Sequence, residues 1–208
     1  MDMAQLSSLT AVLKENISKV IMGKDEEIEK ILLCLYCGGH ILLEDIPGVG
    51  KTTMAVAFSK ALGLEYNRVQ FTPDVLPSDI TGYSIYDKNT GAMNYQKGAI
   101  LCNLFLADEL NRATSRTQSA LLQAMEEGEV TVDNRTYPVP EPFIVIATQN
   151  PTGAKGTQML PDSQMDRFML RLSIGYPSHE DETEMIRRKQ KGVSMETVMQ
   201  MVSREELM

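Results

Sequence analysis

Two stretches of the chain hold residue types that could do chemistry in concert. In Asp45-Ile46-Pro47-Gly48-Val49-Gly50-Lys51-Thr52-Thr53, the glycines let backbone N–H groups curl around phosphate oxygens. Lys51 can reach the β and γ oxygens of a triphosphate, and the Thr52 hydroxyl can ligate Mg2+. Pro47, Gly48, Val49, Gly50, Lys51, Thr52 and Thr53 are therefore the expected nucleotide-binding residues. The usual G-x-x-x-x-G-K-[ST] spacing begins with glycine, where this chain has Asp45. Aspartate tolerates left-handed backbone better than most residues, which keeps the loop geometry within reach. A glycine-rich turn without a ligand is the plainer alternative, and Gly50-Lys51-Thr52-Thr53 following Pro47-Gly48 speaks against it.

The second stretch, Leu104-Phe105-Leu106-Ala107-Asp108-Glu109, is an apolar run ending in two acids. That is a poor place for charge unless a metal or a water needs it. Asp108 is expected to hold Mg2+ together with Thr52, and Glu109 to polarise the attacking water. A solvated strand end would account for two acids in isolation; beside a phosphate loop the paired reading gains.

For these residues to meet, strand ends must lie side by side. Ile41-Leu42-Leu43 is a short apolar run leading into the loop, and residues 52–62 are rich in helix formers, with Gly63 placed to end a helix in the left-handed conformation. Residues 6–18 and 25–39 carry apolar side chains at helical spacing. Further β-favouring runs at 68–71, 104–107, 143–147 and 168–172 are continuous rather than alternating, which suits a parallel sheet covered on both faces. Two hairpin-like segments interrupt this scheme, 83–95 around Lys88-Asn89-Thr90-Gly91 and 129–139 around Asp133-Asn134. Ser178, with Asp181 three residues on, opens a helix whose far end carries Arg187, Arg188 and Lys189, and residues 193–201 start another amphipathic pattern. The expected organisation is an α/β core over residues 1–176, followed over 177–208 by the start of a second, helical unit.

Composition narrows the classes. A length of 208 residues suits one main core. A formal charge of −8, with 6% aromatic residues and no Trp, argues against a surface built to neutralise nucleic acid. No run approaches the ~18 apolar residues that a membrane span needs. Met1-Asp2-Met3-Ala4-Gln5 lacks the basic start of a secretory signal, so a cytoplasmic location is expected. Cys34-x-x-Cys37 lies in an apolar run and reads as a buried thiol pair rather than a redox or zinc site.

The phosphate loop, Leu106-Ala107-Asp108-Glu109-Leu110-Asn111-Arg112-Ala113, Ile146-Ala147-Thr148-Gln149-Asn150-Pro151 and Gln164-Met165-Asp166-Arg167-Phe168 together closely resemble the MoxR family of AAA+ ATPases. Residues 71–82 and 121–128 match it as well, and the resemblance spans about residues 10–190. It implies a P-loop NTPase fold: three layers, a parallel five-stranded sheet, two hairpin-like insertions (the helix 2 insert and the presensor 1 hairpin) and a helical lid. It further implies that Asn150 is the sensor 1 residue, on a strand between those bearing Lys51 and Asp108, where its amide orients the lytic water. An Asn before Pro151 also suits a turn, and both roles are compatible. Arg167 matches an arginine finger that reaches the γ-phosphate held by a neighbouring subunit; an Asp166–Arg167 surface pair is the alternative. Val20-Ile21-Met22-Gly23-Lys24 resembles the segment that packs against adenine, with Ile21 on the base and Gly23 permitting close approach; a simple turn between helices is the alternative. Family members continue into a complete lid carrying a sensor 2 arginine, and this sequence stops before that motif. Arg187 and Arg188 precede its expected position and read as exposed charges at a helix C-terminus.

The resemblance thus implies an enzyme, an ATP hydrolase that uses ATP and Mg2+ at subunit interfaces of a ring, expected to be hexameric. Its role would be chaperone-like remodelling or maturation of protein clients, with von Willebrand factor A-type domain proteins as partners and the two insertions touching the client. The alternatives are a metal-chelatase ATPase subunit, a nucleic-acid translocase, and an ATP-dependent switch with little turnover.

Overall fold

A computed structural model describes residues 2–45, 48–150 and 159–207. Two helices, α1 (Met3–Ile17) and α2 (Asp25–Tyr36), lead into β1 (Ile41–Glu44), and α3 (Lys51–Ala61) follows the loop. The chain continues through β2 (Tyr66–Gln70), α4 (Pro77–Thr81), β3 (Gly82–Asp87), β4 (Ala92–Lys97), β5 (Leu104–Asp108) and α5 (Ser115–Glu127). The remaining elements are β6 (Glu129–Val132), β7 (Arg135–Pro138), β8 (Ile144–Gln149), α6 (Asp162–Met165), β9 (Leu170–Leu172), α7 (His179–Gln190) and α8 (Arg204–Leu207).

Five strands pair in parallel in the order β2-β5-β8-β1-β9. Successive residues of a strand point to opposite faces, and the continuous apolar runs exploit this to fill two cores. Ile41 and Leu43, Leu104 and Leu106, Ile144 and Ile146 pack with α1, α2 and α3 on one face. Leu42, Phe105 and Ala107, Val145 and Ala147 pack with α4 and α5 on the other. The result is the three-layer α/β arrangement that the sequence implied. The expected hairpins are β3–β4 and β6–β7, each an antiparallel pair outside the main sheet. No helix among the described residues is long and apolar enough to cross a membrane.

Several details differ from expectation. Cys34 is buried, but Cys37 caps the end of α2 and is exposed, so the thiols are not a buried pair. Residues 193–201 form only one 3-10 turn, at Met195–Thr197. The chain then runs extended against the core: Val198 and Val202 join the cluster of α1–α3, and Asn16 grips the Met199 backbone from both sides, Nδ2 to O at 2.7 Å and Oδ1 from N–H at 3.3 Å. The strand expected over 68–71 also shifts, to Tyr66–Gln70, because it pairs with β5 from Tyr66 against Leu104 onwards.

Candidate active site

Parallel pairing brings the C-terminal ends of β5, β8 and β1 to one edge of the sheet, and the chemistry-bearing residues collect there. Leu43 is level with Thr148, and Ala107 with Ala147, so Asp108 stands beside Thr148, with Asn150 two residues on. Thr148 Oγ1 donates to Asp108 Oδ1 at 2.7 Å and accepts the Glu109 N–H at 2.8 Å. Glu109 itself is left-handed, φ 56 and ψ 46, which turns its side chain out of the strand line at a cost of about 1–3 kcal/mol for a non-glycine residue. Both acids carry a guanidinium: Arg68 Nη2 lies 2.7 Å from Asp108 Oδ2, and Arg112 Nη1 lies 2.6 Å from Glu109 Oε2.

The loop between β1 and α3 meets the requirements of an anion cradle. Gly48 and Gly50 have φ of 90° and 89°, and among the described residues a Cβ on either would meet nothing within 4 Å, so backbone conformation rather than space demands glycine. Gly50 is the N-cap of α3 and has no side chain with which to satisfy the first N–H groups of that 11-residue helix. Lys51 is buried, and its Nζ donates to the Asp45 carbonyl at 2.9 Å. Burial pushes the Lys51 ammonium below the usual lysine range, opposed by the charges of Asp108, Asp45 and Glu109. Thr52 is half-buried and Thr53 exposed one step along the helix. Pro47 lies outside the described residues.

Asp45, which replaces the first glycine of the usual motif, is not left-handed. Its buried carboxylate accepts the Ser173 hydroxyl at 2.9 Å and the backbone N–H groups of Ile174 and of Gly175, the latter at 3.1 Å. The residue therefore joins the start of the loop to the segment after β9, with three donors compensating a buried charge. Sequence reasoning missed this role because the partners stand about 130 positions away.

Beside the loop opens an apolar cleft of about 120 Å3, lined by Val20, Ile21 and Met22, by Gly48, Val49, Gly50, Thr53 and Met54, and by Ile174, Pro177 and Met185. Ile21 is thus brought together with the loop. Gly23 is left-handed, φ 67, and what lies against it is the Asp181 carboxylate of α7. Arg188 is not a simple exposed charge: its guanidinium pairs with Glu184 at 3.2 Å and donates to the Ser18 and Lys19 carbonyls at 3.4 and 3.5 Å.

Arg167 stands apart from all of these. It pairs with Glu126 at 2.8 Å and donates to the Ser163 carbonyl at 2.7 Å, rather than pairing with Asp166. Leu170 is level with Ile41, the first residue of β1, and the Met169 N–H donates to the His40 carbonyl. Arg167 therefore sits at the N-terminal edge of the sheet, a strand length of about 13 Å from the edge that carries its own chain's loop.

The donor set fits a magnesium nucleotide: a left-handed glycine cradle at a helix N-terminus, an ammonium, a hydroxyl, a pair of acids and an apolar cleft alongside. Comparison with known proteins gives the family. Residues 40–170 match the family described as ATPase family associated with various cellular activities (AAA). The chain is 47% identical over 192 residues to the uncharacterized protein YeaC of Bacillus subtilis, covering 92% of this chain and 60% of that protein. It is 42% identical over 192 residues to Chaperone MoxR1 of Mycobacterium tuberculosis, covering 92% of this chain and 50% of that one. A candidate ATPase of Cytophaga hutchinsonii, known from its crystal structure, superposes with a TM-score of 0.87 at 38% identity, over 98% of this chain and 62% of its own. The chain thus spans between half and two thirds of the length of these relatives. A family match over residues 40–170 and these likenesses place the chain in the AAA ATPases, within the MoxR family.

Proposed function

We propose that this chain binds ATP with Mg2+ in the cleft and hydrolyses it, and that copies of the chain assemble into a ring with the nucleotide between neighbours. The observation that carries the reading is the convergence of Lys51, the Asp108–Glu109 pair and Asn150 at one sheet edge, beside the cleft that contains Ile21. Gly48, Val49, Gly50 and the first turn of α3 hold the phosphates, Lys51 reaches their outer oxygens, and Thr52 with Asp108 holds Mg2+. The metal supplies charge neutralisation at the phosphates. Glu109 takes up a proton from the attacking water, and the Asn150 amide orients that water. Arg167, on the opposite edge, serves the site of a neighbouring copy.

Remodelling or maturation of protein clients follows as the use of the turnover, supported by the likeness to a protein named a chaperone. The β3–β4 hairpin exposes Tyr83, Ile85, Tyr86 and Met93, which suits contact with an apolar client segment. Partners with von Willebrand factor A-type domains belong to the same reading. One observation favours the second reading, an ATP-dependent switch with little turnover: Arg68 and Arg112 occupy both acids.

Steady-state ATP hydrolysis against protein concentration tests the proposal. Specific activity is expected to rise with concentration, and Lys51→Ala and Arg167→Ala are each expected to lower it by about a hundredfold or more. Activity no greater than that of Lys51→Ala at any concentration, with nucleotide binding intact, would leave the switch.

A further inference from the structure

The side of the cleft away from α3 is closed by contacts between the 18–24 segment and α7. Lys24 Nζ donates to the Tyr176 carbonyl at 3.1 Å, just before the helix. In its first turn, Asp181 belongs to a capping box: its Oδ2 accepts the Ser178 hydroxyl at 2.6 Å and the Ser178 N–H at 3.3 Å. That box pins the carboxylate against Gly23, where an added Cβ would stand 2.2 Å from Oδ2. Near the other end of α7, Arg188 donates to the carbonyls of Ser18 and Lys19, just past α1, whose last carbonyls carry the negative end of a helix dipole. Between these two anchors Met185 faces the cleft opposite Val20 and Met22.

We infer that Gly23 and Arg188 are positioning residues: they set how closely α7 approaches the 18–24 segment, and thereby the grip on the nucleoside half of the ligand. The inference rests on the reading that the cleft takes the base of ATP. The phosphate half is built separately, from the loop and α3, and is anchored through Asp45 to residues 173–175. Any side chain at Gly23 must either break the Ser178–Asp181 box or push α7 outward, and loss of Arg188 releases the other end.

Calorimetric titration with ATP and with inorganic tripolyphosphate, both with Mg2+, separates the two halves. Arg188→Ala and Gly23→Ala are each expected to weaken ATP binding about tenfold while moving tripolyphosphate binding far less, and Arg188→Lys, which keeps the positive charge beside the end of α1 on a shorter side chain, to fall between. Thermal melts accompany each titration; if Arg188→Ala does not fold, Arg188→Lys and Gly23→Ala decide. Equal losses for both ligands, or no loss for either, overturn the positioning role. Wild-type protein that binds ATP no more tightly than tripolyphosphate overturns the base-cleft reading itself, and wild-type protein that binds neither overturns the proposed function.

Discussion

Thr148 shares one hydroxyl between the two acids, donating to Asp108 and accepting from the Glu109 backbone, and it is fully buried. Valine has nearly the same shape but can do neither, so Thr148→Val leaves an Asp108 oxygen and a left-handed N–H without this partner. The expected cost is about 1–3 kcal/mol of stability, read from the midpoint of urea unfolding. If the hydroxyl also holds Glu109 in its turned-out conformation, kcat falls at least about tenfold with a much smaller change in KM. A variant with normal kcat would show that Glu109 keeps its conformation without Thr148. The acids themselves were legible in the sequence, because charge at the end of an apolar run needs a reason. The guanidinium on Asp108 was not: Arg68 comes from a strand 40 residues earlier.

At the scale of elements, turn chemistry announced both hairpins, and Asp133 and Asn134 do adopt positive φ at the β6–β7 turn. Their relation to each other was hidden. Tyr95 of β4 stacks on Tyr137 of β7, with ring centroids 3.9 Å apart and planes at 13°, so the two insertions meet through this stack. His40, just before β1, joins elements in a similar way. Its Nδ1 accepts the Val145 N–H at 3.1 Å, which leaves Nε2 as the donor to the Met125 carbonyl at 3.2 Å. Burial pushes this imidazole below its ordinary range, against the Met125 bond. The folded state thus binds the proton less readily than the unfolded chain. Its contribution is complete above the unfolded value of about 6.5 and is lost as pH falls from there through the folded value, by about 1.4 kcal/mol per unit of depression. Between pH 7.5 and 5.5 the unfolding midpoint is expected to drop more in wild type than in His40→Gln; equal drops would show that His40 does not couple folding to pH.

At the scale of the whole molecule, the segment after α7 returns across α1 and α3 instead of leaving the core. Asn16, Ala61 and Gly63 receive it: the Met201 N–H donates to the Ala61 carbonyl, and a Cβ on Gly63 would stand 2.3 Å from the Gln200 amide. Asn16→Ala removes both bonds to Met199 and is expected to lower Tm by several degrees, with amide exchange accelerated at residues 198–202 first. Exchange that rises uniformly over the chain would mean that the segment unfolds only with the core. Arg167 belongs to this scale too, since its distance from its own loop makes its role a question about assembly.

Local conformation is what the sequence by itself determined. The loop glycines, Lys51, Thr52, the acids at the end of β5, the helix cap at Ser178 and the hairpin turns each depend on neighbours within a few positions, where residue type and spacing dictate conformation. The parallel sheet was legible because strands buried on both faces must be apolar throughout. Tertiary structure alone decided where unlike segments meet: Asp45 on residues 173–175, Gly23 under Asp181, Arg188 on the end of α1, Arg68 on Asp108, Cys37 at the surface. The four contacts among these join residues tens to more than a hundred positions apart, and no periodicity within a segment encodes which distant partner will satisfy a buried charge or fill the space that a glycine leaves.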